Sequence, residues 1–124
     1  MSTIRANTLV NMDGVTAVTL TGQVAAKVWF NFNGTGTIAS RASFNVSSLT
    51  DVGTSLYLVN FSTSLIDANH ATVCNCQPNN YNGSYAGSGG TAAGTQTSSR
   101  ASIELRDTNN AYSDSDFVVG AVFR

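Results

Sequence analysis

Short β-like runs follow one another along most of this chain, with turn residues between them. The predicted strands cover residues 26–33, 37–49, 55–61, 71–77, 99–106 and 117–123. Every break between these runs contains Gly, Asn or Asp. Short strands joined by such turns are typical of a sandwich or a barrel. We therefore predict an all-β fold, an antiparallel β-sandwich of jelly-roll-like type.

Helical periodicity is missing from the sequence. No segment repeats apolar residues every 3.6 positions over several turns, which is the pattern of an amphipathic helix. The best candidate, SLIDANHA at residues 64–71, is short enough to be a single turn. We expect at most a single helical turn there.

The alternation within each run predicts which side chains share a face of a strand. In KVWFNFNGTGT, residues 27–37, Trp29 falls opposite Phe30 and Phe32, and Asn33-Gly34 predicts a hairpin turn. We therefore expect Trp29 to belong to the scaffold and not to a ligand site. In the last run, Phe117, Val119, Ala121 and Phe123 share one face. The residues that we expect to be mostly buried are Phe30, Phe32, Phe44, Val59, Phe61, Ile103, Leu105 and Val119.

Composition limits the partners. Ser, Thr, Asn and Gly make up 54 of the 124 residues, charged residues make up 10%, and the net charge is −1. With six dispersed Lys and Arg residues, the chain lacks the basic patch that nucleic-acid binding requires. No apolar run approaches the ~20 residues of a membrane span, and the first residues lack the apolar core of a signal peptide. We expect no nucleic-acid partner, no membrane insertion and synthesis in the cytoplasm.

The first 22 residues differ from the rest and are predicted to form an N-terminal arm, followed by a β-sandwich domain over residues 23–124. The segment alternates weakly, turns at Asp13-Gly14 and has too little apolar surface to fold by itself. It therefore needs a surface elsewhere, and we predict that it serves docking or oligomerisation. The candidate assembly residues of the arm are Ile4, Leu9, Val10, Val15, Val18 and Leu20.

The interval from Gln77 to Ser99 shows no periodicity and contains the only proline and five of the eleven glycines. We predict a long loop or flap. A loop of about twenty residues inside a compact domain is uncommon and is often functional. The candidate partner-contact residues of this loop are Asn79, Tyr81, Asn82 and Tyr85.

Catalytic and metal-binding patterns are weak. The single histidine, His70, is not accompanied by a nucleophile motif, so we expect a structural role at the start of a strand. Cys74 and Cys76 share its strand face, but a structural zinc site needs four ligands, and their spacing strains a disulfide. We expect two thiols without metal, and no cofactor. Asp114 and Asp116 are expected in a solvated turn.

Residues 27–73 carry a recognisable series of short motifs. They are K-x-W-x-N-F-N-G-T-G-T from Lys27, S-F-N-V-S-S from Ser43, an Asp51 and Gly53 turn, an aromatic-x-V-N-F strand from Tyr57, and a D-A-N segment from Asp67. The series resembles a module of tail-fibre and other virion structural proteins of tailed bacteriophages. One departure is His70, where the module usually has tyrosine.

This resemblance implies a non-enzymatic virion protein. We expect a homotrimeric tail-fibre or appendage subunit that contacts itself, other virion proteins and, through Tyr81 and Tyr85, a host-surface glycan. One alternative is a capsid decoration (cement) protein on the phage head. A second alternative is a carbohydrate-binding module. Glycan hydrolysis is disfavoured because it needs paired carboxylates in a groove, and the chain has one glutamate and six aspartates.

Overall fold

The computed structural model describes residues 24–77, 84–88, 94–107 and 109–124 of the protein. Over these ranges the chain is all-β, as the sequence predicts. The strands are β1 (Ala26–Asn33), β2 (Ala39–Phe44), β3 (Val46–Gly53), β4 (Leu56–Phe61), β5 (Ala71–Gln77), β6 (Ser84–Ser88), β7 (Arg100–Asp107) and β8 (Phe117–Phe123). None of these described segments provides a helix long and apolar enough to cross a membrane. The predicted arm, residues 1–22, lies outside the described residues.

The strands form two antiparallel four-stranded sheets that pack as a β-sandwich. Their strand orders are β2-β1-β8-β5 and β3-β4-β7-β6. Three pairs of consecutive strands, β1–β2, β3–β4 and β6–β7, are antiparallel neighbours within one sheet, and the other four connections cross from one sheet to the other. The crossings bring strands that are far apart in sequence together, β1 beside β8 and β4 beside β7. The predicted antiparallel β-sandwich is confirmed.

The core lies between the inner faces of the two sheets. Phe32 of β1 meets Tyr57 of β4 edge to face across the sandwich, with ring centroids 5.3 Å apart. Phe30 lies beside Phe32 at 5.8 Å. The predicted burial is confirmed for Phe30, Phe32, Val59, Phe61, Ile103 and Leu105. The aromatic contact joins the two sheets at the centre of the core.

Two of the predicted core residues are exposed. Phe44 is 55% exposed and Val119 is 38% exposed, so both predictions are wrong. In β8 the four predicted residues do share a face, but Val118 and Val122 occupy the core instead. The reason is Gly120, because a Cβ there would lie 2.5 Å from Phe30 Cζ and only a glycine lets that ring pack against the strand.

Two chain segments differ from their predicted structure. The predicted strand over residues 37–49 is interrupted at Asn45, whose φ of 57° turns the chain from one sheet into the other. This left-handed conformation is one that Asn tolerates better than most residues. The predicted loop from Gln77 to Ser99 contains β6, which pairs with β7 through Ser84 and Asp107. That part of the loop prediction is therefore wrong.

The turn after β1 forms the predicted hairpin, but Gly34 has a packing role. Its backbone N–H donates to the Ser115 carbonyl at 2.8 Å, and its own carbonyl accepts from the Tyr57 hydroxyl at 2.7 Å. A Cβ on Gly34 would lie 2.7 Å from the Tyr57 oxygen. Asp114 Oδ1 lies 2.8 Å from the same hydroxyl oxygen and shares its one proton with the Gly34 carbonyl. Asp114 is therefore a half-buried hydrogen-bond acceptor and not the solvated turn residue that the sequence predicts.

Candidate assembly face

Most of the predicted contact residues lie where the structure describes nothing of their side chains. The arm residues and Asn79, Tyr81 and Asn82 lie outside the described residues. Tyr85 lies in β6, where its backbone pairs with Arg106 of β7. Contact with a host surface through these residues stays a prediction. A different surface of the described residues exposes apolar side chains.

That surface is the outward side of the sheet β2-β1-β8-β5, which we call the open face. Its exposed large apolar residues are Trp29, Phe44, Val73, Phe117 and Val119. Trp29 is 42% exposed and Val73 is 64% exposed. Monomeric soluble proteins seldom expose several large apolar residues on one face, and such patches typically mark interaction sites.

The strand register places these side chains in rows. Trp29 pairs with Phe44 of β2 on one side and with Ala121 of β8 on the other. Ala121 in turn pairs with Val73 of β5. Directly opposed side chains on one face of a sheet lie about 5 Å apart at Cβ. One apolar row therefore crosses all four strands.

A cation borders the open face at the register shift in the β1–β2 pairing, between Asn31 and Phe32. The Arg41 guanidinium lies over the Phe117 ring, 4.2 Å from the centroid. The same group donates to the Asp116 carbonyl oxygen. The charge is therefore held against the sheet, and the apolar rows beside it remain uncovered.

Asn31 is the polar side chain next to the apolar row. It pairs with Ala42 and with Val119, so it projects from the same face as Trp29. Its Oδ1 is buried and has no hydrogen-bond partner among the described residues. An unpaired buried acceptor costs about 1–3 kcal/mol. One buried polar atom without a partner therefore lies beside the apolar row.

The outward side of the other sheet, β3-β4-β7-β6, is the closed face. Asn60 of β4 donates to Ser48 Oγ at 3.1 Å and to Thr50 Oγ1 at 3.0 Å on β3. The next row contains Leu58 and Ser102, which are buried although they project outward. The segment that starts at Gly94 lies over Leu58, since a Cβ on Gly94 would contact the Leu58 side chain at 3.6 Å.

Hydrogen bonds hold this covering segment in place. Gln96 Nε2 donates to the carbonyl oxygens of Ala68 at 2.7 Å and His70 at 3.1 Å. The His70 ring lies 3.1 Å from the Thr97 carbonyl oxygen through Nε2 and packs edge to face on Phe61, at 5.7 Å. The predicted structural role of His70 is confirmed.

The buried thiols show no sign of catalytic activation. Cys74 and Cys76 are not joined in a disulfide. Burial raises the pKa of the Cys74 thiol to about 11, and the neighbouring Cys76 adds to the shift. A protonated thiol is a poor nucleophile and a poor metal ligand. Within the described ranges, no three His, Cys, Asp or Glu side chains are grouped so as to hold a metal ion.

Comparison with known proteins gave no match to a family model, to a curated protein or to a solved structure. The candidate site is therefore defined by the chain's own geometry. Sequence patterns did not identify the open face. The signal that was available is that β8, FVVGAVF, is apolar on both sides, so one of its two faces must lie outside the core.

Proposed function

We propose that this chain is a non-enzymatic structural subunit of a tailed-bacteriophage virion. In this proposal it forms a homotrimer in a tail fibre or another external appendage. The observation that carries the proposal is the open face, a flat apolar surface on an otherwise polar and nearly uncharged protein. The motif series in residues 27–73 supports the virion assignment, since it resembles a module of such proteins.

A second copy of the chain is the occupant that suits the open face. Among the residues of its four strands, the only charged ones are Lys27 and Arg41. Identical faces can therefore approach without placing a dense group of like charges in the interface. Aromatic side chains and Arg at the edge are the residues that are enriched in protein interfaces.

The open face is large enough to provide about half of the area that each partner buries in a stable interface. Four strands about 4.8 Å apart, each about seven residues long at about 3.3 Å per residue, give a footprint of roughly 440 Å². A stable interface buries about 800 Å² on each partner. The predicted N-terminal arm is the part of the chain from which the remaining contact area would come.

Light scattering after size-exclusion chromatography tests the oligomer. We expect a trimer for the natural sequence and a folded monomer for Trp29→Lys and for Val73→Lys, with unchanged circular dichroism. Thr50→Lys, on the closed face, is the matched control and should remain trimeric. A natural chain that is monomeric at micromolar concentration, or lysine variants that stay trimeric, would overturn the role of the open face.

Immunogold electron microscopy tests the location. Antibodies against the chain would be applied to particles produced from the genome that encodes it. We expect label on fibres or other tail appendages. Label over the heads would instead identify the chain as a capsid decoration protein. Particles without label would contradict the virion assignment.

A further inference from the structure

A groove of about 650 Å³ opens at the end of the sandwich where β1 begins and β2 ends. Its apolar wall consists of Phe44, Leu65 and Ile66, and two cationic residues, Lys27 and Arg124, also line it. Ile66 is 86% exposed. This volume lies in the range of grooves that enclose a ligand or a short peptide segment.

The groove is preformed on the side of Asn45. The Asn45 side chain donates to the carbonyl oxygens of Lys27 at 3.2 Å and Thr63 at 3.0 Å. Its Oδ1 accepts from the Thr63 backbone N–H at 2.7 Å. One side chain therefore joins the start of β1, the β2–β3 corner and the chain after β4.

The opposite wall is fixed as well. The Leu65 backbone N–H donates to the Ser98 carbonyl at 2.7 Å. The Asp67 carboxylate accepts two hydrogen bonds from the Arg124 guanidinium, at 2.7 Å and 2.6 Å. Ile66 lies between these two anchors. The exposed isoleucine is thus held at the rim of the groove by bonds on both of its neighbours.

The chain enters the domain at the mouth of this groove. Ala26 is part of the lining, and the two residues before it, Val24 and Ala25, are exposed and form no turn. The preceding residues 1–22 contain six of the large aliphatic residues named above and only two charges, Arg5 and Asp13.

We infer that the groove binds the N-terminal arm of a second copy of the chain, so that neighbouring subunits exchange arms. The inference rests on the proposed oligomer and adds the arm's binding site to it. An apolar, weakly charged segment matches a groove walled by Phe44, Leu65 and Ile66. Phe44 belongs to both the groove and the open face, so the groove borders the surface where the neighbouring subunit would lie.

Photo-crosslinking tests the exchange. A benzoylphenylalanine at position 66 replaces an exposed side chain, and the same probe at position 50 on the closed face is the control. Oligomers assembled from equal amounts of isotopically heavy and light chains are irradiated and digested with trypsin. We expect the peptide 42–100, which carries the probe, to be joined to peptide 6–27 in heavy–light pairs as well as in light–light pairs. The control at position 50 should capture no arm peptide.

Three results would overturn the inference. They are arm peptides joined only within one chain, no arm peptide at all, and equal capture from positions 50 and 66. If the Trp29→Lys variant is monomeric while the arm is not captured, the exchange alone fails and the open-face oligomer stands. If the natural chain is monomeric, both the proposed oligomer and the exchange of arms between subunits are contradicted. Deleting residues 2–20 provides a second measurement, because it should leave the domain folded and weaken the trimer.

Discussion

The two outer faces of the sandwich differ in how the protein covers them. On the closed face, cross-strand amide and hydroxyl pairs such as Asn60 with Ser48 and Thr50 satisfy one another. The one large apolar residue in the next row, Leu58, is covered by the chain near Gly94. On the open face, Trp29, Phe44 and Val73 form a row with nothing from the described residues above it.

This difference separates folding from assembly. The closed face is covered over Leu58 by the subunit's own chain, so this packing contributes to the stability of the monomer. The open face retains apolar surface that burial would stabilise by roughly 25 cal/mol per Å², and that free energy becomes available only when a partner covers it. Substitutions on the two faces should therefore affect different equilibria.

The largest difference in the free energy of unfolding is expected between substitutions on the inner and outer sides of one sheet. Phe32→Ala removes a fully buried ring that packs on Tyr57 and should lower the free energy of unfolding by about 3–5 kcal/mol. Phe44→Ala removes an exposed ring and should change it by about 0.5 kcal/mol or less. Urea denaturation of both variants in the monomeric Val73→Lys background measures the difference. Similar losses would mean that Phe44 contributes to the subunit's own core.

The second contrast is between the two outer faces themselves. Leu58→Ala should cost about 2 kcal/mol or more, because the covering segment leaves the side chain buried. Val119→Ala removes a smaller apolar side chain from the open face and should change monomer stability by about 0.5 kcal/mol. The same variant should weaken the trimer, as measured by sedimentation at decreasing concentration. Equal effects on the monomer would contradict the distinction between the faces.

A third comparison uses substitutions at two adjacent residues of β8, Gly120 and Ala121. Gly120→Ala places a methyl group where Phe30 Cζ is 2.5 Å away and the Val73 carbonyl oxygen is 2.7 Å away. We expect a loss of about 1–3 kcal/mol. Ala121→Ser changes the adjacent residue on the open face and should be nearly neutral. Thermal unfolding followed by circular dichroism distinguishes them, and a tolerated Gly120→Ala would show that Phe30 can move away.

Local sequence patterns were sufficient for much of this fold. The bounds of β1, β5 and β8 agree with the prediction, because turn residues flank each apolar run. The break at Asn45 was not predicted, since the apolar pattern continues across it and the corner depends on hydrogen bonds to Lys27 and Thr63. The strand β6 was not predicted either, because it is rich in Gly and Ser and owes its conformation to pairing with β7.

The open face shows the limit of alternation as a guide. Periodicity indicates that Phe117, Val119, Ala121 and Phe123 share a side, but it does not say which side lies in the core when both are apolar. That choice depends on Phe30, a residue of another strand that fits against Gly120. The Asp114 anchor was missed for a similar reason, since its partner Tyr57 lies far away in sequence.

The smallest expected effect concerns the link between the two sheets, and it depends on pH. The Asp67 carboxylate, in the loop from β4 of the closed sheet to β5 of the open one, pairs with Arg124 after β8. Hydrogen bonds from Arg124, with a further one from the Asn69 backbone N–H, lower the pKa of Asp67 from 3.8 to about 2.

A carboxyl group whose pKa is lowered by folding stabilises the folded state above its unfolded pKa. This contribution should therefore be complete above pH 4 and disappear as the pH falls towards 2. It should be small, because exposed ion pairs contribute little to stability. Carbon-detected NMR titration should show the low pKa in the natural chain and a higher pKa in Arg124→Gln, in which the hydrogen bond from the Asn69 backbone N–H remains. The stability difference between the natural chain and Asp67→Asn should shrink between pH 4 and pH 2. A natural Asp67 that titrates near 3.8, or a difference that persists at pH 2, would show that this ion pair does not link the closed sheet to the open one in solution.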